Sequence, residues 1–188
     1  MDIAQRLLGY NDRLARRALE DIDLVVIHAT ELPDLGLARQ FGERIHYANS
    51  GTGNSGHFYI DRDGSIEQWV EADRIAHHVV GYNPRSIGIE LVNLGRYPDW
   101  LNSHHQQWQE DISPAQLDAL LALLRQLEHT LPRLRFVAGH DWLDQRFVPA
   151  SDDASRQVRR KLDPGPDFPW DQLLEACTLL PLGRPQGG

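Results

Sequence analysis

This chain contains very little cysteine and lysine, and each scarcity excludes a class of function. Cys177 is the single cysteine among 188 residues, so a disulfide framework and a thiolate zinc cluster are both excluded. Lysine occurs once, at Lys161, and the formal net charge of the chain is −8. Because an acidic surface repels phosphate groups, this composition argues against a nucleic-acid partner.

Long hydrophobic segments are also missing from the sequence. No window is long and apolar enough to span a membrane, and charged or polar residues interrupt Met1–Asp21, which leaves no signal-peptide core. We therefore expect a cytoplasmic protein, or a periplasmic or secreted one if a signal segment has been removed. The 41% of hydrophobic and 24% of charged residues suit one globular domain with its own core, and we expect a monomer.

Hydrophobic periodicity in the first half of the chain alternates between helical and strand patterns. Leucines spaced among charged residues predict an amphipathic leading helix over about residues 3–19, and residues 35–47 show a second helical pattern. Leu24–Ile27 is short and rich in β-branched residues, which predicts a buried strand that ends at His28. Asp63-Gly64 lies between two further strand-like runs and predicts a hairpin.

The second half of the chain continues this alternation. Period two in the strand of residues 86–93 places Gly88 and Glu90 on one face, where the glycine leaves room for another group beside the glutamate. A capped helix is predicted to start at Ser113, and a later short strand delivers Gly139-His140. The remaining expectations are a long polar loop over 141–159, a terminal helix over 171–180 and a flexible tail over 181–188.

Two histidines and one aspartate are the candidate metal ligands. His28 and His140 each follow a short apolar strand, and Asp163 lies in the proline- and glycine-rich stretch 161–170, whose stiff backbone aims the carboxylate. Two imidazoles and one carboxylate are the protein ligands of an open catalytic zinc site, which keeps a fourth position for water. The competing interpretation makes each histidine a structural group and residues 161–170 a surface turn.

Glu90 and Lys161 are the candidate catalytic residues beside these ligands. Glu90 would act as the general base on a metal-bound water, unless it only forms an ion pair with Arg85 or Arg96. Lys161 lies two residues before Asp163 and would stabilise an oxyanion, unless it is a solvated surface lysine. Its being the only lysine in an arginine-rich chain favours the first interpretation.

Five ordered blocks give the chain a resemblance to a known family. The blocks are the His28 that follows Val-Val-Ile, Ser55–Ile60, Gly81–Leu91, Gly139-His140 and Lys161–Gly165. In this order they resemble the zinc-dependent N-acetylmuramoyl-L-alanine amidases, which share their fold with peptidoglycan recognition proteins. The resemblance covers most of the chain. It implies an α/β fold in which helices flank a mixed central β-sheet, with a zinc groove along one face.

The resemblance also implies a role for each candidate residue. His28, His140 and Asp163 match the ligands of one zinc ion per chain, Glu90 matches the catalytic glutamate, and Lys161 matches the lysine that stabilises the tetrahedral intermediate. The implied reaction is hydrolysis of the amide bond between N-acetylmuramic acid and L-alanine in peptidoglycan or muropeptides. The implied substrate-binding residues are His78, with His77 as a competing choice by one position, together with His57, Asn83 and Arg85.

The sequence departs from the family pattern at two places. Gly56 stands where some branches have a catalytic tyrosine, so that role is vacant or is taken by Glu90. The segment between His140 and Lys161 is also longer than in compact members of the family. We expect the polar loop over 141–159 to border the groove and to influence the choice of substrate.

The resemblance leaves more than one function open. We expect one amidase domain over residues 1–188, with its catalytic core over about 21–175 and a peptidoglycan or muropeptide as its partner. A recognition module that binds peptidoglycan without cutting it is one alternative, although such relatives generally lose a metal ligand and all three are present here. A zinc hydrolase of another amide is the second alternative, which the block at 81–91 disfavours.

Overall fold

Two β-sheets and four α-helices make up the fold that the computed structural model describes for residues 2–185. The strands are β1 (Ala4–Gln5), β2 (Leu24–Ala29), β3 (Phe58–Ile60), β4 (Ile66–Gln68), β5 (Ser86–Leu91), β6 (Phe136–Gly139), β7 (Phe147–Pro149), β8 (Gln157–Arg159) and β9 (Leu180–Pro181). The helices are α1 (Leu35–Gly42), α2 (Pro114–Thr130), α3 (His140–Leu143) and α4 (Trp170–Ala176).

The larger sheet is mixed, and its strand order is β1-β4-β3-β5-β2-β6-β9. The neighbours β3 and β4 are antiparallel, whereas every other neighbouring pair in this sheet is parallel. The parallel strands β5, β2 and β6 form its centre and are almost completely buried. The predicted α/β fold with a mixed central sheet is therefore confirmed.

Helix α2 covers one face of the sheet with its buried leucines. The predicted helix start is confirmed, because the Ser113 hydroxyl accepts from the N–H of Gln116 and the Gln116 side chain accepts from the N–H of Ser113. The odd-numbered side chains of β5 pack in the same cluster as α2. Since strand side chains alternate, Gly88 and Glu90 point to the opposite face. Within residues 2–185, neither this helix nor a shorter one combines the length and hydrophobicity that crossing a membrane requires.

The N-terminal segment contains the short strand β1 and single 3-10 turns in place of an α-helix, so the amphipathic helix predicted over residues 3–19 is wrong. The N–H groups of Arg6 and Leu8 donate to the carbonyls of Gln68 and Trp69, both at 2.9 Å. Leu8, Tyr10 and Leu14 of this segment are buried in a second core cluster, which also contains Trp69 and Ala38 of α1. Hydrogen bonds to the edge of the sheet replace the bonds that a helix would make internally, and they outweigh the local helix propensity.

Three other predicted boundaries also differ from the structure. Helix α1 ends at Gly42, short of the predicted end at residue 47, and Ile45 beyond it is 52% exposed. The polar segment 141–159 contains α3 and the hairpin β7–β8, in which Val148 pairs with the buried Val158. The terminal helix ends at Ala176, and β9 then pairs with β6. Residues 186–188 of the predicted tail lie outside the described residues.

Candidate metal centre and active site

The carboxyl ends of β2, β5 and β6 bring three candidate residues to one edge of the sheet. His28 is the penultimate residue of β2, Glu90 is the penultimate residue of β5, and His140 directly follows β6. These strands are parallel neighbours, and the register pairs His28 with Glu90. Paired residues on adjacent strands share a face of the sheet, so both side chains point to the side opposite α2.

His28, His140 and Asp163 form one buried cluster. The Nδ1 atoms of both histidines lie 3.0 Å from Oδ2 of Asp163, and the two imidazole rings are 4.6 Å apart between centroids. Each of the three residues is at most 3% exposed. One potential ligand atom from each residue lies within 4.8 Å of the other two. The structure therefore brings together the three residues that were predicted as metal ligands.

The electrostatics of this cluster favour the protonation states that a metal ion requires. Burial, followed by the charge of His140, lowers the pKa of His28 to about 4, so its imidazole is neutral at pH 7. Burial alone would raise the pKa of Asp163, but His140 and Lys161 outweigh it and hold that pKa well below its ordinary value. A neutral imidazole and an ionised carboxylate are the forms that bind metals.

The donor set fits a divalent cation. Two imidazole nitrogens and one carboxylate oxygen leave an open position on the side of the cavity, as in catalytic zinc sites. The other carboxylate oxygen of Asp163, Oδ1, is buried and has no hydrogen-bond partner among residues 2–185. A buried charged oxygen without a partner is costly, and a cation beside it would remove that cost.

Glu90 stands beside this cluster without an ion-pair partner in the part of the chain that is described. Both arginines considered as its partners are engaged elsewhere, because Arg85 binds Asp23 and Arg96 binds Glu31. Burial, and then the charge of Asp163, raises the pKa of Glu90 to about 8. A carboxylate with such a pKa is suited to accepting and returning a proton near neutral pH.

Gly56 gives Glu90 its space, whereas the room that Gly88 of β5 leaves is taken by the ring of His78. A Cβ atom at Gly56 would lie 2.8 Å from Cγ of Glu90 and 3.2 Å from the carbonyl oxygen of Gly88. A tyrosine at position 56 would therefore collide with Glu90 as it is placed here. A tyrosine at position 56 and Glu90 in its present position therefore exclude each other, because the two side chains would occupy the same space.

An open cavity of about 400 Å³ connects these residues to solvent. Its wall includes the candidate ligands and Glu90, together with Lys161, whose side chain is 31% exposed and whose Nζ lies 3.9 Å from Oδ1 of Asp163. The wall also includes residues to which the sequence patterns gave no functional role, among them Phe41, Tyr47 and Arg160.

Both histidines proposed for the groove line the cavity, in different ways. His77 lies against the ring of Tyr47, with 4.6 Å between centroids. His78 uses both ring nitrogens inside the protein, and burial lowers its pKa well below the ordinary value. Asn83 also lines the cavity, but its Oδ1 accepts from the backbone N–H groups of His78 and Val79 at 3.0 and 2.8 Å. The choice between His77 and His78 as a substrate contact stays a prediction.

Two residues predicted to bind substrate lie outside the cavity. His57 is completely buried, its Nδ1 accepts from the N–H of Gly88 at 3.0 Å, and its Nε2 lies 3.1 Å from the carbonyl of Arg74. Arg85 is bound to Asp23 near the opposite, amino-terminal end of β2. Neither side chain reaches the cavity in this structure, and their role as substrate contacts stays a prediction.

Trp100 and Trp108 also lie outside the cavity. Trp100 donates to the carbonyl of Glu31, and the ring of Trp108 packs over the backbone at Gly165. Tyr47, by contrast, is an aromatic residue that lines the cavity. The glycine-, serine- and asparagine-rich loop 49–56 directly after Tyr47 was the available signal, since such loops commonly border binding sites.

Comparisons with known proteins relate the chain to a family. The model of Amidase_2, described as N-acetylmuramoyl-L-alanine amidase, matches residues 18–166. The endolysin of Enterobacteria phage K11 is 33% identical over 85 residues, which are 45% of this chain and 52% of the endolysin. The N-acetylmuramoyl-L-alanine amidase AmiD of Escherichia coli (strain K12) is 33% identical over 110 residues, 58% of this chain and 32% of AmiD. The chain therefore spans about half the length of the endolysin, and less of AmiD.

Solved structures share the fold. The N-acetylmuramoyl-L-alanine amidase LysC from Clostridium intestinale URNW has a TM-score of 0.67 at 20% identity, over 96% of this chain and 99% of LysC. At that identity the likeness shows the fold alone. AmiD from E. coli was solved in complex with the substrate anhydro-N-acetylmuramic acid-L-Ala-D-gamma-Glu-L-Lys. It has a TM-score of 0.64 at 25% identity, over 88% of this chain and 61% of that one.

Proposed function

Because this chain belongs to the N-acetylmuramoyl-L-alanine amidase family, we propose that it hydrolyses the amide bond between N-acetylmuramic acid and L-alanine in peptidoglycan or muropeptides. The observation that carries the proposal is the convergence of His28, His140 and Asp163 with Glu90 at one cavity. A metal-dependent hydrolase needs a set of ligands with an open position and a general base beside it, and this cavity offers both.

His28, His140 and Asp163 would hold one zinc ion per chain. Imidazole nitrogen suits zinc better than magnesium or calcium, which prefer sites made of oxygen ligands. When bound, zinc polarises a carbonyl group and lowers the pKa of its water to about 7. The protein supplies the ligands in a buried position, where the ion is held by a rigid sheet edge and by the stretch that carries Asp163.

Glu90 moves the proton in the reaction that we propose. It accepts a proton from the water that attacks the lactyl carbonyl, and it returns this proton to the nitrogen of the leaving L-alanine. Lys161 donates a hydrogen bond to the carbonyl oxygen as negative charge develops on it. The position of Lys161 Nζ at 3.9 Å from Asp163 Oδ1 supports this role, because it puts the ammonium at the edge of the metal site.

The cavity wall supports a muropeptide as the substrate. Arg160 and Lys161 make one part of the wall basic, which suits the carboxylates of a stem peptide such as that bound to AmiD. Tyr47 and Val80 give the mouth of the cavity an apolar part that suits a sugar or methyl face, and Val80 is 71% exposed. We also propose that the catalytic core lies within residues 21–175 of a single amidase domain. The monomeric state and the cytoplasmic location stay predictions.

Metal content and muropeptide digestion test this function together. Wild type and Glu90→Gln are purified side by side, zinc is quantified, and the products are identified by mass spectrometry. One zinc per chain, with stem peptide released by the wild type only, supports the amidase and the base. Zinc without peptide release from several muropeptides contradicts the proposed substrate and favours another amide. Muropeptide binding without zinc or cleavage makes the protein a recognition module.

A further inference from the structure

The two ring nitrogens of His28 face different partners. Nδ1 lies 3.0 Å from Oδ2 of Asp163, whereas Nε2 lies 3.0 Å from Nδ1 of His78. Nε2 of His78 lies in turn 3.2 Å from Oγ of Ser86, and the Ser86 hydroxyl donates to the carbonyl of Tyr82 at 2.9 Å. A continuous hydrogen-bond chain therefore leads from the candidate metal ligand to a backbone carbonyl.

We propose that His78 and Ser86 are positioning residues, which hold His28 in the orientation and tautomer that metal binding requires. This inference rests on the proposed function, since it assigns a metal ion to His28, His140 and Asp163. It gives His78 a different role from the substrate contact that the sequence resemblance implies. Metal-bound histidines commonly need such a partner on their second ring nitrogen.

The direction of the hydrogen bonds follows from the chemistry of His28. A metal ion at Nδ1 needs the lone pair of that atom, so the proton of the neutral ring lies on Nε2. Nε2–H of His28 then donates to Nδ1 of His78, and Nε2–H of His78 donates to Oγ of Ser86. In this direction each donor faces one acceptor. The opposite direction puts a proton on Nδ1 of His28, where it blocks a metal ion.

The backbone of β5 is shaped to accept the ring of His78. A Cβ atom at Gly88 would lie 2.7 Å from both Cγ and Nδ1 of His78, so the ring rests directly on the glycine. Ser86, Gly88 and Glu90 occupy alternate positions of the strand and share one face. This face therefore supplies the partner of His78, the space for its ring, and the proposed general base.

The internal partners of His78 distinguish positioning from substrate binding. Both ring nitrogens are already paired inside the protein, and Asn83 holds the backbone N–H of His78 at 3.0 Å. A substrate group would have to displace His28 or Ser86 to reach a ring nitrogen. His77, which also lines the cavity, has no such link to a candidate ligand in the described residues.

Zinc affinity of variants at position 78 tests the proposal. The dissociation constant is measured by competition with a chromophoric chelator for wild type, His78→Phe and His78→Asn. We expect the Phe variant to bind zinc about 10- to 100-fold more weakly, because it keeps the ring shape and removes the acceptor. The Asn variant carries a side-chain oxygen near the position of Nδ1, and we expect it to restore most of the affinity. Equal affinities of the wild type and the Phe variant would overturn the proposal.

Ser86→Ala tests the far end of the chain in the same assay. This variant leaves Nε2–H of His78 without its acceptor, so we expect zinc binding to weaken in the same direction as in His78→Phe. Unchanged zinc affinity in a folded Ser86→Ala protein would overturn the part assigned to Ser86.

Nuclear magnetic resonance of the zinc-loaded wild type tests the proposal without a variant, so the result does not depend on whether a variant folds. Long-range ¹H–¹⁵N spectra of the histidine rings report which nitrogen of His28 is protonated. We expect a slowly exchanging proton on Nε2 and a metal-bound Nδ1, with the proton of His78 on its own Nε2. A His28 ring that is bound through Nε2, or a His78 ring protonated on Nδ1, would overturn the proposal.

These measurements separate this inference from the proposed function. Zinc binding with the expected tautomers but no release of stem peptide contradicts the amidase and supports the positioning role. Peptide release by the wild type, together with full zinc affinity in His78→Phe, contradicts the positioning role alone. A wild-type protein that binds no zinc contradicts both.

Discussion

His28 and Glu90 are register partners on the adjacent parallel strands β2 and β5. Neighbouring strands lie about 4.8 Å apart, so the sheet itself fixes a candidate metal ligand beside the proposed base. His140 follows the next strand on the other side of β2. Asp163 and Lys161 lie on the stretch after β8. The geometry of the base relative to the metal site is therefore set by backbone hydrogen bonds, which makes small steric changes around Glu90 informative.

Gly56→Ala is expected to reduce catalysis without removing the metal. The new Cβ would lie 2.8 Å from Cγ of Glu90, and the nearby carbonyl of Gly88 leaves it little room to shift. Because a base displaced by about 1 Å costs roughly 10²-fold, we expect kcat to fall by one to two orders of magnitude at unchanged zinc content. Gly9→Ala is the matched control, since nothing lies within 4 Å of its Cβ position. Wild-type kcat in Gly56→Ala would contradict the steric link between position 56 and the position of Glu90.

Glu90→Gln is expected to stabilise the metal-free protein at neutral pH. The pKa of Glu90 is raised by burial from 4.5 to about 8, so the folded wild type keeps its proton where the unfolded chain loses it. The stability that the protonated carboxyl of Glu90 gives the folded state is complete below about pH 4.5, and it is lost as the pH rises to about 8. Glutamine has no proton to lose, and we expect the free energy of unfolding of Glu90→Gln to exceed that of wild type by about 3 kcal/mol at pH 7.

Urea unfolding with a chelator present, at pH 4, 7 and 9, measures this difference. The gain of Glu90→Gln over wild type should be small at pH 4 and larger at pH 7 and 9. Glu175→Gln, at an exposed position of α4, should stay within about 0.5 kcal/mol of wild type at each pH. A gain of Glu90→Gln that does not change with pH would contradict the raised pKa.

Lys161→Met is expected to lower kcat while zinc affinity stays near that of wild type. Lys161 lies 3.9 Å from a carboxylate oxygen of Asp163 and is partly exposed, so it reaches the cavity without being a ligand. Loss of one group that stabilises an oxyanion costs about 10²- to 10³-fold in kcat. Steady-state kinetics with a muropeptide, together with zinc titration, measure both quantities. Lys161→Arg keeps the charge and should recover part of the activity. Equal kcat in Lys161→Met and wild type would make the lysine a surface group.

The positions of His28 and His140 could be predicted because each follows a short apolar strand that ends at one edge of the sheet. Apolar strands that precede His28 and His140 place both residues at carboxyl ends, and parallel strands bring those ends together. The capped start of α2 follows from a similar short-range signal, whereas the mixed sheet was implied by the resemblance to the amidase family. These features need no knowledge of how distant loops pack.

The remaining features depend on contacts between distant segments. The N-terminal helix was wrong because hydrogen bonds to the carbonyls of Gln68 and Trp69 determine the conformation of that segment. His57 and His78 look alike in the sequence, yet His57 is completely buried against the backbone of Gly88, whereas His78 links to His28 at a separation of 50 residues. Periodicity describes one strand at a time, so it does not show which histidine faces the cavity.

The buried ion pair between Glu31 and Arg96 is expected to carry much of the stability around the site. Arg96 is 1% exposed and donates to both carboxylate oxygens of Glu31, at 2.7 and 2.8 Å. It also donates to the carbonyl of Arg159 at 3.0 Å, so it ties the end of β2 to the hairpin β7–β8. Arg96→Met would leave a buried carboxylate unpaired, which costs about 3–5 kcal/mol.

Urea unfolding distinguishes this buried pair from an exposed one. Arg16, whose side chain is 70% exposed, pairs with Asp73, and Arg16→Met should cost less than about 1 kcal/mol. The double variant Glu31→Gln, Arg96→Met removes the unpaired charge and should be more stable than Arg96→Met alone, since most of the single-variant cost is the desolvation of Glu31. If Arg96→Met costs no more than Arg16→Met, the pair is not what holds the hairpin against the end of β2, and the packing of Val158 and its neighbours must do so instead.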